Sequence, residues 1–410
     1  MRFVTLLFIV LFVPLAASAQ SFKPGRGLAL DIWQTWPEES RWDERQVMLP
    51  FPEWQKSLSD ADLAALKASG LTMLRLPVDP SPFLSEKSSA LHGDLLTSVL
   101  KAVARVNAAG LKAIVDMHGV PSSGNRAIGT AEILEDPALF DRYAAHVGQM
   151  AAALSGMDPA AVSLELLNEP VTGCEGEEQA RWQEQLGALH KTARAAAPKL
   201  TLILSGACWG SAEGLSAMDP SQFDDPNILW SFHSYDPFLL THQGATWAGD
   251  FILHVTGLPF PLHGVPREEL DAAVENIRQT IKANAPFARR AGLLAYLDEQ
   301  VAVMDTEAEM DAVMGAPFAR VAAWAEKHAI PASRILMGEF GMIRQEYGNP
   351  YVVPAATRAA YYKAMIGRAE AHGYAWSMWD HGGAFGVIDE FDGRRAEPDV
   401  MDMVRTLPPH

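Results

Sequence analysis

Cysteine is nearly absent from this chain: 410 residues contain only Cys174 and Cys208. So few thiols exclude a fold held together by a disulfide framework. The two can pair in an oxidising compartment or remain free, partly buried thiols, and neither is placed for a nucleophilic role. Positive charge is scarce as well. Lys and Arg number 33 against 50 Asp and Glu, a net charge of −17. That balance argues against nucleic acid or an anionic membrane surface as partner. It suits a protein acting on a neutral ligand. No Gly-x-Gly-x-x-Gly follows the first predicted strand, which weakens a doubly wound dinucleotide-binding sheet. No His-x-His pair closes that strand, and no histidine cluster has metal-ligand spacing. Repeats, low-complexity runs and interdomain linkers are lacking too.

Long apolar runs are confined to the beginning. Residues 1 to 20 read MRFVTLLFIVLFVPLAASAQ. Arg2 supplies a short positive start, Val4 to Leu15 an apolar stretch, and Ala17-Ser18-Ala19 a small-x-small cleavage pattern. The expectation is a secretory signal peptide, 1–19, cut after Ala19 and too short to span a membrane. A secreted or periplasmic protein with no membrane association after cleavage follows, built as a single domain over residues 20–410. A monomer is expected.

What is present is an alternation of short apolar runs and amphipathic stretches. Strands are expected near 26–33, 71–78, 112–118, 161–167, 200–205, 228–232, 335–340 and 374–379. Between them lie helical patterns. One is capped by Ser59-Asp60 and stopped by Gly70; others cover 94–109, 137–154, 177–197 and 355–371, with a short last helix over 399–407. About a hundred residues separate strands six and seven, irregular through Gly264 and then helical from Arg267 to about His328. This interval reads as an insertion, with its helices serving as outer packing rather than a lid. Strands apolar on both faces belong to a parallel sheet covered by helices. Eight strand–helix units predict an α/β fold of the (β/α)8 barrel type, a TIM barrel with an insertion before strand seven.

In such a barrel the chemistry sits at the carboxyl ends of the strands. The stretch Leu164-Glu165-Leu166-Leu167-Asn168-Glu169-Pro170 ends an apolar run in a polar tripeptide, because proline cannot continue a ladder. Strand two offers Arg75, strand three Asp116 and His118, strand six His233 and Tyr235, strand seven Glu339, and strand eight Trp379, Asp380 and His381. Each alone reads as a satisfied polar residue at a strand end. Together they place Glu169 and Glu339 on opposite sides of one barrel mouth. Two carboxyl groups flanking a glycosidic bond can cleave it, one as nucleophile and the other as acid/base. Arg75 can keep a neighbouring carboxylate ionised and Tyr235 can donate to it. Trp379 offers a flat apolar face to a sugar ring. Asn168 can donate to a 2-hydroxyl.

The set Arg75, His118, Asn168-Glu169-Pro170, His233-x-Tyr235, Glu339 and Trp379 resembles glycoside hydrolase family 5, the cellulase family whose catalytic glutamates lie on strands four and seven. The resemblance runs from the first strand to the last. It implies a retaining enzyme needing no cofactor and no metal, acting on a β-linked glucan, by default a β-1,4-glucan, with mannan, another β-glucan or an exo-acting β-glucosidase-like specificity as alternative. It implies Glu169 as acid/base and Glu339 as nucleophile. Arg75 and Tyr235 would position Glu339, His118 and His233 would line the subsite at the cleaved bond, and Trp379 would be its floor. Two rivals remain distinguishable. A metal-dependent hydrolase would use Asp116, His118 and His233 as ligands. A non-catalytic sugar-binding barrel would not need both glutamates. Of the remaining tryptophans, Trp209 and Trp247 are read as stacking platforms, and Trp42 and Trp54 as loop packing. His242 to Trp247 either covers the sugar site or closes the barrel rim.

Overall fold

The computed structural model describes residues 22–30, 36–49, 58–124 and 126–408. The expected signal segment, Trp33 and Trp54 lie outside the described residues. Eight parallel strands close a barrel in chain order: β1 (Arg26–Ala29), β2 (Met73–Val78), β3 (Lys112–Met117), β4 (Val162–Glu165), β5 (Thr201–Ser205), β6 (Ile228–His233), β7 (Ile335–Phe340) and β8 (Ala375–Met378). The strands fall where the apolar runs predict them. β4 stops two residues earlier than expected, yet Leu166 N still donates to Ile203 O and Asn168 N to Met117 O. The chain therefore leaves the ladder gradually and delivers Asn168 and Glu169 to the rim.

The helices follow local rules. Ser59 caps Asp60–Ala68 in a reciprocal capping box with Asp62, and Asp136 caps Pro137–Leu154, which starts with proline at its first turn. The long interval between β6 and β7 resolves into two parts. The helix Glu307–Lys327 is the barrel's own crossover. Its Phe318 meets Phe232 at 5.8 Å and its Trp324 meets Trp230 at 5.4 Å, both edge-on. The helices Arg267–Asn284 and Arg290–Ala302 are the added part, so the insertion is smaller than the whole interval. Among the described residues no helix is long and apolar enough to cross a membrane.

The barrel interior is stratified. Phe22, Met73, Ile114, Ile203, Leu229, Leu336 and Ala375 form a separate apolar plug inside it. Because side chains alternate along a strand, positions two residues on face the same interior. Those positions are Arg75, Asp116, Ser205, Ser231, Gly338 and Ser377. Polar character thus begins one layer above the plug, and the next step brings His118, His233 and Trp379 to the mouth. Strand β7 breaks this parity. Leu336 faces the plug, so an unbroken strand would turn Glu339 outward. A register shift pairs Phe232 with Met337 but His233 with Glu339, leaving Gly338 as the extra residue of a bulge and turning Glu339 inward. Gly338 also allows close approach: a Cβ there would lie 2.4 Å from Ser231 Oγ and 3.0 Å from His233 Nε2.

Candidate active site

Arg75 is the hub. It lies in mid-strand and is fully buried, so it acts on neighbouring side chains and not on a ligand in the cleft. Its Nε donates to Glu165 Oε2 at 2.8 Å and its Nη2 to Asn168 Oδ1 at 2.8 Å. Nη2 is also 3.0 Å from Asp116 Oδ2, and Nη1 donates to Glu339 Oε1. Tyr235 O–H donates to the second Glu339 oxygen at 2.9 Å, and His233 Nδ1 stands 3.6 Å from that oxygen. Burial alone would push the Glu339 carboxyl up. The positive neighbours His233, Arg75 and His118, with the Tyr235 hydrogen bond, overcome it and hold the carboxyl well below the usual range. Glu339 is therefore a buried, ionised carboxylate.

Glu169 faces it with a different support. It adopts φ 38°, a left-handed conformation that costs a non-glycine residue about 1–3 kcal/mol. The break from extended geometry lets adjacent Asn168 and Glu169 both reach the mouth. His233 Nδ1 donates to Glu169 Oε1 at 2.8 Å, so one imidazole stands between the two glutamates. Burial alone would lower the His233 pKa; Glu339 and Glu169 outweigh that and raise it. One oxygen from each glutamate and a His233 nitrogen lie within 4.8 Å of one another. This donor set could also hold a divalent cation, using the atoms that now serve these hydrogen bonds.

His118 completes the floor. Asp116 Oδ2 accepts from His118 Nδ1 at 2.7 Å, and Asn168 Nδ2 lies 3.4 Å from its Nε2. Burial lowers the imidazole's pKa, but Asp116 outweighs it and the net direction is up. The ring stacks on Trp379 at 5.3 Å and 7°, which fixes the orientation of the indole.

Asn168, Glu169, His118, His233, Tyr235, Glu339 and Trp379 therefore gather at one mouth, with Arg75 beneath them. Asp380 and His381 are buried beyond Trp379, where His381 N bonds Ala29 O and joins the chain to β1. Cys174 and Cys208 form a disulfide linking the loops after β4 and β5. In that second loop Cys208 and Trp209 take φ values of 58° and 54°, and Trp209 N donates to Pro170 O at 3.0 Å. Trp209 is thereby held beside Glu169 with 53% of its surface exposed. Trp247 is exposed too and packs edge-on against His242 at 5.3 Å, so the His242–Trp247 loop contributes to the rim. Trp42 is buried and donates to Pro37 O, as loop packing predicts.

Glu165 is the residue that sequence reasoning missed. It lies within the apolar run before Asn168-Glu169-Pro170, four residues before Glu169 and therefore on the same side of the strand. A charge at an inward position of an otherwise apolar strand was the available signal.

The family model for Cellulase (glycosyl hydrolase family 5) matches residues 42–384. Endoglucanase 3 of Fibrobacter succinogenes is 24% identical over 348 residues, covering 81% of this chain and 47% of that protein. Endoglucanase C of Acetivibrio thermocellus is 23% identical over 232 residues, covering 56% of this chain and 63% of that one. The chain thus spans about half to two thirds of these curated relatives. Among solved structures, a hyperthermophilic endo-β-1,4-glucanase in complex with substrate has a TM-score of 0.60 at 22% identity, covering 93% of this chain and 96% of that one. The Clostridioides difficile cellulose synthase subunit Z has a TM-score of 0.64 at 20% identity, with 93% and 99% covered. At these identities the structural likeness establishes the (β/α)8 fold, and the family match over most of the chain establishes that this protein belongs to glycosyl hydrolase family 5, the cellulase family.

Proposed function

We propose that the protein is a retaining β-glycosidase cleaving a β-1,4-glucan by double displacement, with Glu339 as nucleophile and Glu169 as acid/base. The observation that carries this reading is the approach of a Glu169 oxygen and a Glu339 oxygen to within 4.8 Å. Retaining enzymes hold their carboxyl groups roughly 5–5.5 Å apart, whereas inverting ones leave about 6.5–9.5 Å for a water. In the first step a Glu339 oxygen bonds to the anomeric carbon. The glycosidic C–O bond breaks, and Glu169 gives its proton to the departing oxygen. In the second step Glu169 takes a proton from water. The resulting oxygen bonds to the anomeric carbon, and the ester bond to Glu339 breaks. Arg75 and Tyr235 position and stabilise the nucleophile, Asn168 donates to the 2-hydroxyl, His118 and His233 border the cleaved bond, and Trp379 carries the sugar face.

The test is product analysis on a panel of β-glucans and mannans, with anomeric configuration followed by NMR and with a strong chelator present. Retained configuration from a β-1,4-glucan, unaffected by chelator, is expected; an inverted product would contradict the mechanism. A mannan specificity is the second reading, supported by the neighbouring Thermotoga maritima Cel5A, described in complex with both cellobiose and mannotriose. For the cell biology, we propose export through a signal peptide ending at Ala19 to the periplasm or beyond. The mature chain would act there as one monomeric catalytic domain over residues 20–410.

A further inference from the structure

One guanidinium here faces three buried carboxyl groups. Arg75 touches Glu165, Asp116 and Glu339, all on the inner side of adjoining or opposed strands. The three are not equally supported. Glu339 also has Tyr235 and His233. Asp116 also has His118. Among the described residues Glu165 has only Arg75 Nε, and its second oxygen, Oε1, is buried with no hydrogen-bond partner among them. Asp116 Oδ1 is in the same condition. Asp116 and Glu165 are register partners across β3 and β4, and both side chains point at the same guanidinium. Two orphan carboxylate oxygens on neighbouring strand positions repel when both groups are ionised. A single proton between them gives each a partner.

We propose that Glu165 carries a proton in the resting enzyme and donates it to Asp116. It thereby acts as a neutral positioning residue, so that only Asp116 and the nucleophile Glu339 share the charge of Arg75. The remaining surroundings of Glu165 agree. From β5 no titratable side chain faces it. From β6 the nearest is His233, already bound to Glu169. From the helix Pro137–Leu154 it is Tyr143, whose hydroxyl is occupied on Leu166 O at 2.5 Å. From β7 Glu339 approaches through Arg75. Burial raises the Glu165 pKa in the same sense, with Asp116 adding to it and Arg75 opposing. A neutral Glu165 accepts from Arg75 Nε through its carbonyl oxygen and donates through its hydroxyl, so both its oxygens are satisfied.

The role rests on the proposed nucleophile, but its test does not need turnover alone. Glu165→Gln is the mimic: its amide oxygen accepts from Arg75 and its NH2 donates to Asp116. Difference infrared spectra at neutral pH are expected to show the carbonyl stretch of a protonated carboxyl in the wild-type protein. The Glu165 component of that band should survive Glu169→Gln, which removes the acid/base's own contribution, and should be lost in Glu165→Gln. A folded Glu165→Gln protein that keeps the whole band overturns the proposal. Should E165Q not fold, absence of the band from Glu169→Gln decides against it equally. In kinetics, E165Q is expected to keep kcat/KM within about threefold and the acid limb of its pH profile unmoved, whereas Glu165→Ala should lose tenfold or more. An acid limb displaced to lower pH in E165Q would mean that a negative charge had been removed, and would also overturn it. If no glycan is turned over by the wild type, the family-based activity fails while the infrared result still stands.

Discussion

The two walls of the cleft use the same residue type in opposite ways. On the β7 side, Glu339 is 4% exposed and accepts from Arg75 and Tyr235 with His233 close by. On the β4 side, Glu169 has a side chain 31% exposed and, among the described residues, one side-chain hydrogen bond, from His233. The first wall is a rigid charged socket that fixes an anion. The second presents a carboxyl on a left-handed rim residue, open to the cleft. The two environments differ in the way that the proposed nucleophile and acid/base require.

The contrast can be broken most severely at Glu339. Glu339→Gln should lower kcat by about 10⁴-fold or more on every substrate, because no ester can form. Steady-state and burst kinetics with an aryl β-cellobioside check this. Glu169→Ala should cost about 10²–10⁴-fold on a polymer, the range for a general acid, and visibly less on an aryl glycoside with a good leaving group. Added azide should yield a β-glycosyl azide with that variant and none with Glu339→Gln. Equal losses on both substrate types would erase the distinction between the walls.

Tyr235→Phe sharpens it. The O–H bond to Glu339 helps hold that carboxyl down, so its removal should raise the nucleophile's pKa. Glu339 is active when ionised, above its pKa, so activity should be lost at a higher pH as the solution is acidified. The acid limb of kcat/KM should move up, with a loss of about 10–100-fold from a hydrogen bond to a charged group. An unmoved limb would show that Tyr235 does not act on Glu339. Replacing Cys174 and Cys208 together by Ser should lower stability by about 3–4 kcal/mol for a loop of this length, measured by denaturant unfolding. Its effect on kcat with a small aryl glycoside should be within a few fold, since the bridge anchors the rim around Trp209 and does not touch the Glu339 socket. Trp209→Ala should be milder still on stability and should raise KM for polymer several fold, leaving the small glycoside unchanged.

The chain's own pattern determined much of this. Alternating strands and helices specify the barrel, because period-2 and period-3.6 hydrophobicity are local properties. Polar residues at strand ends specify the site, because a parallel barrel sends every strand's carboxyl end to one face. Glu169, His118, His233, Tyr235 and Trp379 could be found that way. Tertiary structure decided what depends on register between distant strands. Only the bulge at Gly338 turns Glu339 inward, against the parity set by Leu336. Only the pairing of β2, β3 and β4 puts Arg75, Asp116 and Glu165 in contact, and only the closure of the barrel brings Glu339 of β7 to the same guanidinium, from strands whose sequences carry no record of one another. The Cys174–Cys208 pairing and the left-handed rim residues likewise depend on two loops meeting. A strand encodes which of its residues alternate; its partner fixes which alternation faces the substrate.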